Sequence, residues 1–198
     1  MQRIHYYVLV ALAGATLSAP AVAGWTVMAP DQTVTVAKSN LKITPAMSWN
    51  RTSRKPSAKG EMWTLDGPSL NELSFFAGIA DGETILKDRN KKDRPLPKFR
   101  SDMLLTDVVQ LVESTMRISL DTSIFEVDKI EPAKLAGQDG VHFSYRYVVQ
   151  SDEVRRKGEA RAAIIGGKLY LINFVAPALY YFDANIGEIQ AIMDKAKL

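Results

Sequence analysis

The chain has 198 residues, of which 46% are hydrophobic and 24% charged, and it contains no cysteine. This composition excludes a disulfide scaffold, a cysteine-based zinc site, a thiol enzyme and a mainly disordered chain. Because 25 Lys and Arg residues stand against 22 Asp and Glu residues, the net charge is only +3, which argues against a dedicated nucleic-acid-binding protein.

The first residues have the pattern of an export signal. Arg3 precedes an apolar stretch from Tyr6 to Leu17, and small residues in A-x-A form follow up to Ala23. The apolar stretch is short for a membrane span, so a retained anchor is the weaker alternative. We therefore predict a signal peptide over residues 1–23, cleavage between Ala23 and Gly24, and a single mature domain in the periplasm or the medium.

Short strands are predicted in the first half of the mature chain. Residues 33–36 alternate between Thr and Val, and further short apolar runs surround Trp49 and Trp63. Residues 71–79 form another strand candidate that ends at an Asp-Gly turn pair, after which residues 84–86 are expected to return antiparallel.

A helix is predicted next, with Thr106 as its N-cap and an end before a turn at residues 119–123. The apolar face of this helix has a spacing of 3.6 residues. It consists of Val108, Leu111, Val112 and Thr115.

The second half predicts four strands joined by hairpins and a final helix. The strands cover residues 125–135 with a break, 141–147, 160–165 and 169–175. The last of these is apolar on both faces, which indicates a strand covered on both sides. The apolar stripe of the final helix consists of Phe182, Ile186, Ile189 and Met193.

This order of elements predicts an α+β fold. Consecutive hairpins give an antiparallel sheet, and helices that follow runs of strands do not connect parallel ones. We therefore expect a central antiparallel β-sheet with helices on both faces, an α/β/α sandwich.

The second half also resembles the PsbP-like superfamily over roughly residues 133–198. The resemblance rests on short structural motifs: a strand started by glycine, a hairpin, a strand with an Ala-Pro step, and a helix opened by aromatic residues. They are Gln138 to Val141, Gly158 to Ala160, Gly167 to Tyr170, Phe174 to Pro177, and Tyr181-Phe182. The superfamily includes photosystem lumenal subunits, a Ran-binding import factor and many exported bacterial proteins. The resemblance implies this fold and a non-catalytic accessory or binding role, and it carries over no functional residue.

Patterns that would indicate catalysis are weak. His142 is the one histidine of the mature chain and lies in a predicted strand, so it cannot start a zinc site and is interpreted as an ordinary strand residue. Residues 39–42 match S-x-x-K but have strand-like flanks and no K-T-G companion. The carboxylate pairs Asp81/Glu83 and Glu61/Asp66 indicate nothing without a pocket. We therefore predict no catalytic residue, no metal site and no cofactor.

One local feature stands above the background, a basic segment over residues 87–100. Pro95 and Pro97 stiffen its second half, and we expect it to be exposed and dispensable for folding. It is either a solvated loop or a contact for an anionic surface such as phospholipid or lipopolysaccharide, which residues 155–157 would extend if they lie nearby. Its cations are Lys87, Arg89, Lys91, Lys92, Arg94, Lys98 and Arg100.

Aromatic side chains at residues 75–76 and 180–182 suit a ligand cleft, although such residues more often build a core. Three functions follow from the sequence. The leading one is a non-catalytic exported accessory or binding protein of the cell envelope, whose partner is an unknown envelope protein or a small ligand. The alternatives are an anionic-surface binder and an unrecognised enzyme, which a buried pair of titratable groups in a pocket would indicate.

Overall fold

A computed structural model describes residues 24–149 and 153–198. The predicted signal peptide and the predicted turn near residues 151–152 lie outside the described residues. The first part of the described chain contains β1 (Trp25–Met28), β2 (Val34–Thr35), β3 (Lys42–Ile43), β4 (Trp49–Thr52), β5 (Gly60–Thr64), β6 (Glu72–Ile79) and α1 (Leu105–Leu120). The second part contains β7 (Ile124–Leu135), β8 (Gln138–Val148), β9 (Arg155–Ile165), β10 (Lys168–Pro177) and α2 (Tyr181–Lys195).

Eight strands form one antiparallel sheet in the order β1-β4-β5-β6-β10-β9-β8-β7, and β2 and β3 form a separate pair. Strands β7 to β10 are the four predicted hairpin strands. Helix α1 packs over β7, β8 and β9 on one face, and α2 packs over β10, β9 and β7 on the other. The predicted α/β/α sandwich around an antiparallel sheet is therefore confirmed.

The two cores meet at β10, as the doubly apolar pattern predicted. Tyr170, Ile172 and Phe174 belong to the core under α2, whereas Leu171 and Val175 belong to the core under α1. This separation follows from the alternation of side chains along a strand.

The predicted helix faces are also buried. Val108, Leu111 and Val112 of α1 lie in one core, and Ile189 and Met193 of α2 lie in the other. The helices therefore close the two faces of the sheet through the residues that the 3.6-residue spacing selected.

The region between β6 and α1 differs from the prediction. Residues 84–86 form no strand; they belong to a connecting segment, residues 80–104, that lies beside α1. The Gly82 backbone N–H donates to the Phe99 carbonyl oxygen, and the Phe99 N–H donates to the Glu83 carbonyl oxygen, both at 2.8 Å. These two hydrogen bonds hold the ends of residues 82–99 together. The predicted returning strand is therefore wrong.

Helix α1 begins earlier than predicted, at Leu105. The Asp107 carboxylate accepts a hydrogen bond of 2.9 Å from the backbone N–H of Leu104, so an N–H group at the helix start is satisfied without Thr106. Thr106 lies inside the first turn.

Strand β7 is continuous where the sequence indicated a break. Its pairing with β8 shifts between Val127 and Lys129, so Asp128 is an extra residue in the ladder. Such a bulge reverses the alternation of faces along a strand, which explains the interrupted apolar pattern.

Candidate ligand-binding cleft

A cavity of about 790 Å³ lies between α1, the connecting segment and the face of the sheet under α1. Its walls come from β6 and β10 in the centre of the sheet and from the neighbouring strands. Small-molecule sites have volumes of about 300–1,000 Å³. We call this cavity the cleft.

Polar side chains form part of the floor of the cleft. Glu72 and Ser74 come from β6, and Asn173 comes from β10, where it pairs directly with Ser74. The Ser74 hydroxyl donates to Glu72 Oε1 at 2.8 Å, and the Tyr145 hydroxyl donates to Asn173 Oδ1 at 2.7 Å. The floor is therefore a fixed hydrogen-bonded arrangement.

The position of Tyr145 depends on a glycine in the neighbouring strand. Gly158 lies opposite Tyr145, and a Cβ atom at residue 158 would lie 2.1 Å from Tyr145 Cζ. The missing side chain therefore makes room for the ring whose hydroxyl holds Asn173.

One end of the cleft is apolar. Phe76 and Leu171 continue the inward-facing rows of β6 and β10 away from Glu72 and Asn173. Ile85 and Leu96 of the connecting segment and Val112 of α1 complete this wall.

Exposed cations also line the cleft. Arg54, Arg89 and Arg94 are exposed cations that line the cleft, and Arg156 joins them from the start of β9. Arg94 forms an ion pair of 2.6 Å with Asp121, the residue after α1. The charged residues in the exposed part of the cleft lining are therefore cationic.

Two of these cations are available for further contacts. Within residues 24–149 and 153–198, neither Arg54 nor Arg89 forms an ion pair. Arg156, by contrast, donates from Nη1 to the carbonyl oxygen of Ser69 at 2.9 Å.

Burial in the cleft raises the pKa of Glu72 above its usual 4.5, because desolvation outweighs the hydrogen bond from Ser74 and the charges of Arg156 and Arg54. A carboxyl group whose pKa is raised on folding stabilises the protein below the unfolded pKa. This contribution is lost as the pH rises through the folded pKa.

We therefore predict that Glu72→Gln becomes stabilising relative to the parent as the pH rises above about 4.5. The amide keeps an acceptor for Ser74 and does not ionise. Urea unfolding of both proteins between pH 4 and pH 8 measures the difference. A difference that stays constant with pH would contradict the raised pKa.

The seven cations predicted for an anionic contact, all exposed, do not lie together. Lys87, Arg89 and Arg94 line the cleft, and Lys87, Lys91 and Lys98 line an adjacent open groove together with Lys55 and Lys59. Lys92 and Arg100 line neither of these, and Arg100 pairs with Asp102 at 2.9 Å.

The basic segment is tied to the core between its cations. Phe99 is fully buried and Leu96 is 7% exposed, and the carboxylate of Asp88 accepts the backbone N–H of Leu96 at 3.1 Å. The cations are exposed as predicted, but the expectation that the segment is exposed along its whole length is wrong, because Leu96 and Phe99 are buried. That the cations are dispensable for folding stays a prediction. Pro95 and Pro97 flank the buried Leu96.

The second basic stretch lies within β9 and divides between the two faces. Arg156 pairs with Tyr147 and faces the cleft. Lys157 points to the face of α2, where it lies 5.4 Å from the Phe182 ring centroid and 3.1 Å from Asp183. Only one of these cations therefore adds to the cleft.

His142 belongs to a separate ion-pair cluster near α2. Its Nδ1 lies 2.7 Å from Glu131 Oε1 and its Nε2 lies 2.9 Å from Glu159 Oε1, and Gln190 donates to Glu159 at 3.0 Å. The hydrogen bond with Glu159, and to a smaller extent that with Glu131, raises the pKa of His142 above its usual 6.5. The imidazolium is therefore a structural link between β7, β9 and α2.

Below about pH 6.5 this imidazolium contributes fully to stability, and the contribution is lost as the pH rises through the folded pKa. We predict that His142→Gln destabilises the protein at pH 5.5 and that the difference from the parent shrinks towards pH 9. Thermal unfolding across this range tests the sign. A destabilisation that grows with pH would contradict it.

The weak catalytic patterns have structural explanations. Ser39 Oγ donates to the Val36 carbonyl oxygen at 2.8 Å and accepts the Leu41 N–H at 3.0 Å, so its hydroxyl closes a turn. Glu61 accepts the Trp63 indole N–H and the Ala37 backbone N–H, at 2.9 and 3.0 Å.

The other carboxylates of the two pairs are also engaged. Asp66 Oδ2 accepts the Asn71 amide at 2.7 Å, and Asp81 accepts the Ser101 N–H at 2.8 Å. Glu83 binds Lys59 at 2.5 Å. Neither pair lines the cleft.

Within residues 24–149 and 153–198, neither helix has the length and apolarity needed to cross a bilayer. No three His, Asp or Glu side chains there are grouped so that they would hold a metal ion.

Comparisons with known proteins identify the fold. No family model matches the chain, and no curated protein matches it in sequence. Among solved structures, it is similar to cyanobacterial PsbP (CyanoP) from Synechocystis sp. PCC 6803, with a TM-score of 0.52, 15% identity, and 96% of this chain and 98% of that chain covered.

Two other structures are more distant. LpqN, involved in cell envelope biogenesis of Mycobacterium tuberculosis, has a TM-score of 0.35, 10% identity, and 90% of this chain and 86% of that chain covered. PA94 from Pseudomonas aeruginosa, a protein of unknown function, has a TM-score of 0.41, 12% identity, and 83% of this chain and 94% of that chain covered. With TM-scores below 0.5, these two add nothing to the assignment. On the match to CyanoP, the chain has the PsbP-like fold that the second half of its sequence predicted.

Proposed function

We propose that this protein is a non-catalytic, exported accessory protein of the cell envelope that binds a small ligand in the cleft. The observation that carries the proposal is the cleft itself. It joins an apolar wall, a hydrogen-bonded floor and exposed cations in a volume typical of ligand sites.

The chemistry of the lining favours binding over catalysis. Among the described residues that line the cleft there is no histidine. Ser74 is 1% exposed and its hydroxyl donates to Glu72, and the Tyr145 hydroxyl donates to Asn173. A nucleophile needs an accessible oxygen with a base to take its proton, and these hydroxyls are already engaged as buried donors.

Native mass spectrometry of the protein purified from its own host tests the binding function. The parent is expected to retain a small molecule that Met116→Trp loses, because Met116 lines the cleft and a larger ring would fill it. Met47→Trp is the matched control, since Met47 is 39% exposed and lies outside the cleft. A parent without any bound species, or equal retention by Met116→Trp, would overturn the proposal.

Export is tested separately by the intact mass of the protein recovered from the periplasm or the medium. The A-x-A pattern predicts a chain that starts at Gly24. A mass that includes residues 1–23 would exclude this cleavage.

A second candidate function is contact with an anionic surface. It is favoured by the open groove of about 910 Å³ beside the cleft, which five lysines line: Lys55, Lys59, Lys87, Lys91 and Lys98. Salt would weaken such a contact, because the Debye length falls to about 8 Å at physiological ionic strength.

Sedimentation with anionic vesicles tests this function. Replacing Lys91, Lys92 and Arg94 by Ser is expected to reduce binding at low salt, whereas neither protein should bind neutral vesicles. Equal binding of variant and parent to anionic vesicles would exclude a surface contact through Lys91, Lys92 and Arg94.

A further inference from the structure

The cleft has a direction that its volume alone does not reveal. The register of β6 and β10 places Glu72 opposite Val175, Ser74 opposite Asn173, and Phe76 opposite Leu171. Moving along these pairs, the lining changes from charged to polar and then to apolar.

The parts outside the sheet follow the same direction. At the end of Glu72, Arg156 comes from the start of β9, and Arg94 reaches Asp121 at the end of α1. At the opposite end, Ile85 of the connecting segment packs in one core with Phe76.

Charge and hydrogen bonding point to the sign of the ligand. Five cations line the cleft, against two carboxylates. One of the carboxylates, Asp88, is occupied by the backbone N–H groups of Asn90 and Leu96, at 3.2 and 3.1 Å. An anion in the cleft would gain charge-assisted hydrogen bonds from guanidinium groups.

We propose that the ligand of the cleft is a single-chain amphiphile with an anionic head group, the alkyl chain lying against Phe76 and Leu171 and the head group bound by the exposed guanidinium groups of Arg54 and Arg89. This inference rests on the proposed binding function and specifies the class of ligand. An apolar chain gains from leaving water in proportion to the area it buries, and the head group stays beside exposed cations.

Titration calorimetry with four twelve-carbon probes at monomeric concentrations tests the class: dodecanoate, dodecyl phosphate, dodecanol and dodecyltrimethylammonium. At least one anionic probe is expected to bind about tenfold more tightly than dodecanol, and the cationic probe more weakly than dodecanol. The ranking of dodecanoate against dodecyl phosphate then distinguishes a carboxylate from a phosphate head group. Equal affinities for the four probes, tightest binding of the cation, or no binding would overturn the inference.

Paired variants test the position of the head group. Arg54→Gln with Arg89→Gln is expected to lower the affinity for the anionic probe about tenfold and to leave that for dodecanol unchanged, which also shows that the cleft is intact. Arg100→Gln with Arg155→Gln removes the same charge from two exposed positions outside the cleft and should change neither affinity. Equal losses in both pairs would overturn the assignment.

The two proposals fail in different ways. A bound species in native mass spectrometry that Met116→Trp loses, together with no preference among the four probes, would overturn only the ligand class. Absence of a bound species in the parent would overturn the binding function.

Discussion

Gly158→Ala is expected to destabilise the protein by about 3 kcal/mol, as overpacking of a well-packed core does. The new Cβ would lie 2.1 Å from Tyr145 Cζ and 2.3 Å from Cε2, and both residues are held in the middle of the sheet by β8–β9 pairing. The Tyr145 ring must therefore shift, and this shift disturbs the hydrogen bond from its hydroxyl to Asn173. Urea unfolding measures the loss.

Gly187→Ala is the matched control for this change. Gly187 lies in α2, is exposed, and has nothing within 4 Å of the position its Cβ would take. Alanine is the better helix former, so this variant should be more stable by about 0.5–1 kcal/mol. Similar effects of the two substitutions would show that the contact with Tyr145 does not determine the cost at residue 158.

Ile189→Ala is expected to cost about 2–5 kcal/mol of unfolding free energy. Ile189 is fully buried and packs in the core beneath α2 with residues of β5, β6 and β10. Truncation removes apolar contacts and leaves a cavity between the helix and the sheet.

The same truncation at Ile130 provides the comparison. Ile130 lies in β7 and is 50% exposed, so Ile130→Ala should cost about 1 kcal/mol or less. If Ile189→Ala leaves the denaturation midpoint unchanged, the packing of α2 on the sheet does not hold the fold together.

The architecture was predictable because it depends on periodicity. The alternation of Val141, Phe143, Tyr145 and Tyr147 and the helical spacing around Ile189 each select one buried face, and a sheet with two helices has few ways to bury them. The prediction for residues 84–86 was wrong, because three apolar or β-branched residues after a turn have the pattern of a strand, whereas among the described residues they pair with no strand.

The cleft was not predictable, because it arises from residues far apart in the sequence. The charge of the basic segment predicted a role for Arg89 and Arg94, but only the folded sheet brings Arg54 and Arg156 to the same cleft. Asn173 is the local indication of the cleft in the sequence, because it is a polar residue in the middle of a strand that is otherwise apolar on both faces.

The pairing of β6 with β10 also determines when the sheet can be completed. Glu72 pairs with Val175, so this junction closes a loop of about a hundred residues, whereas β7 to β10 pair with neighbours in sequence. Non-local contacts of this kind slow folding. During synthesis, β4, β5 and β6 leave the ribosome well before β10 is made. Until then one edge of β6 is unpaired and can associate with other chains.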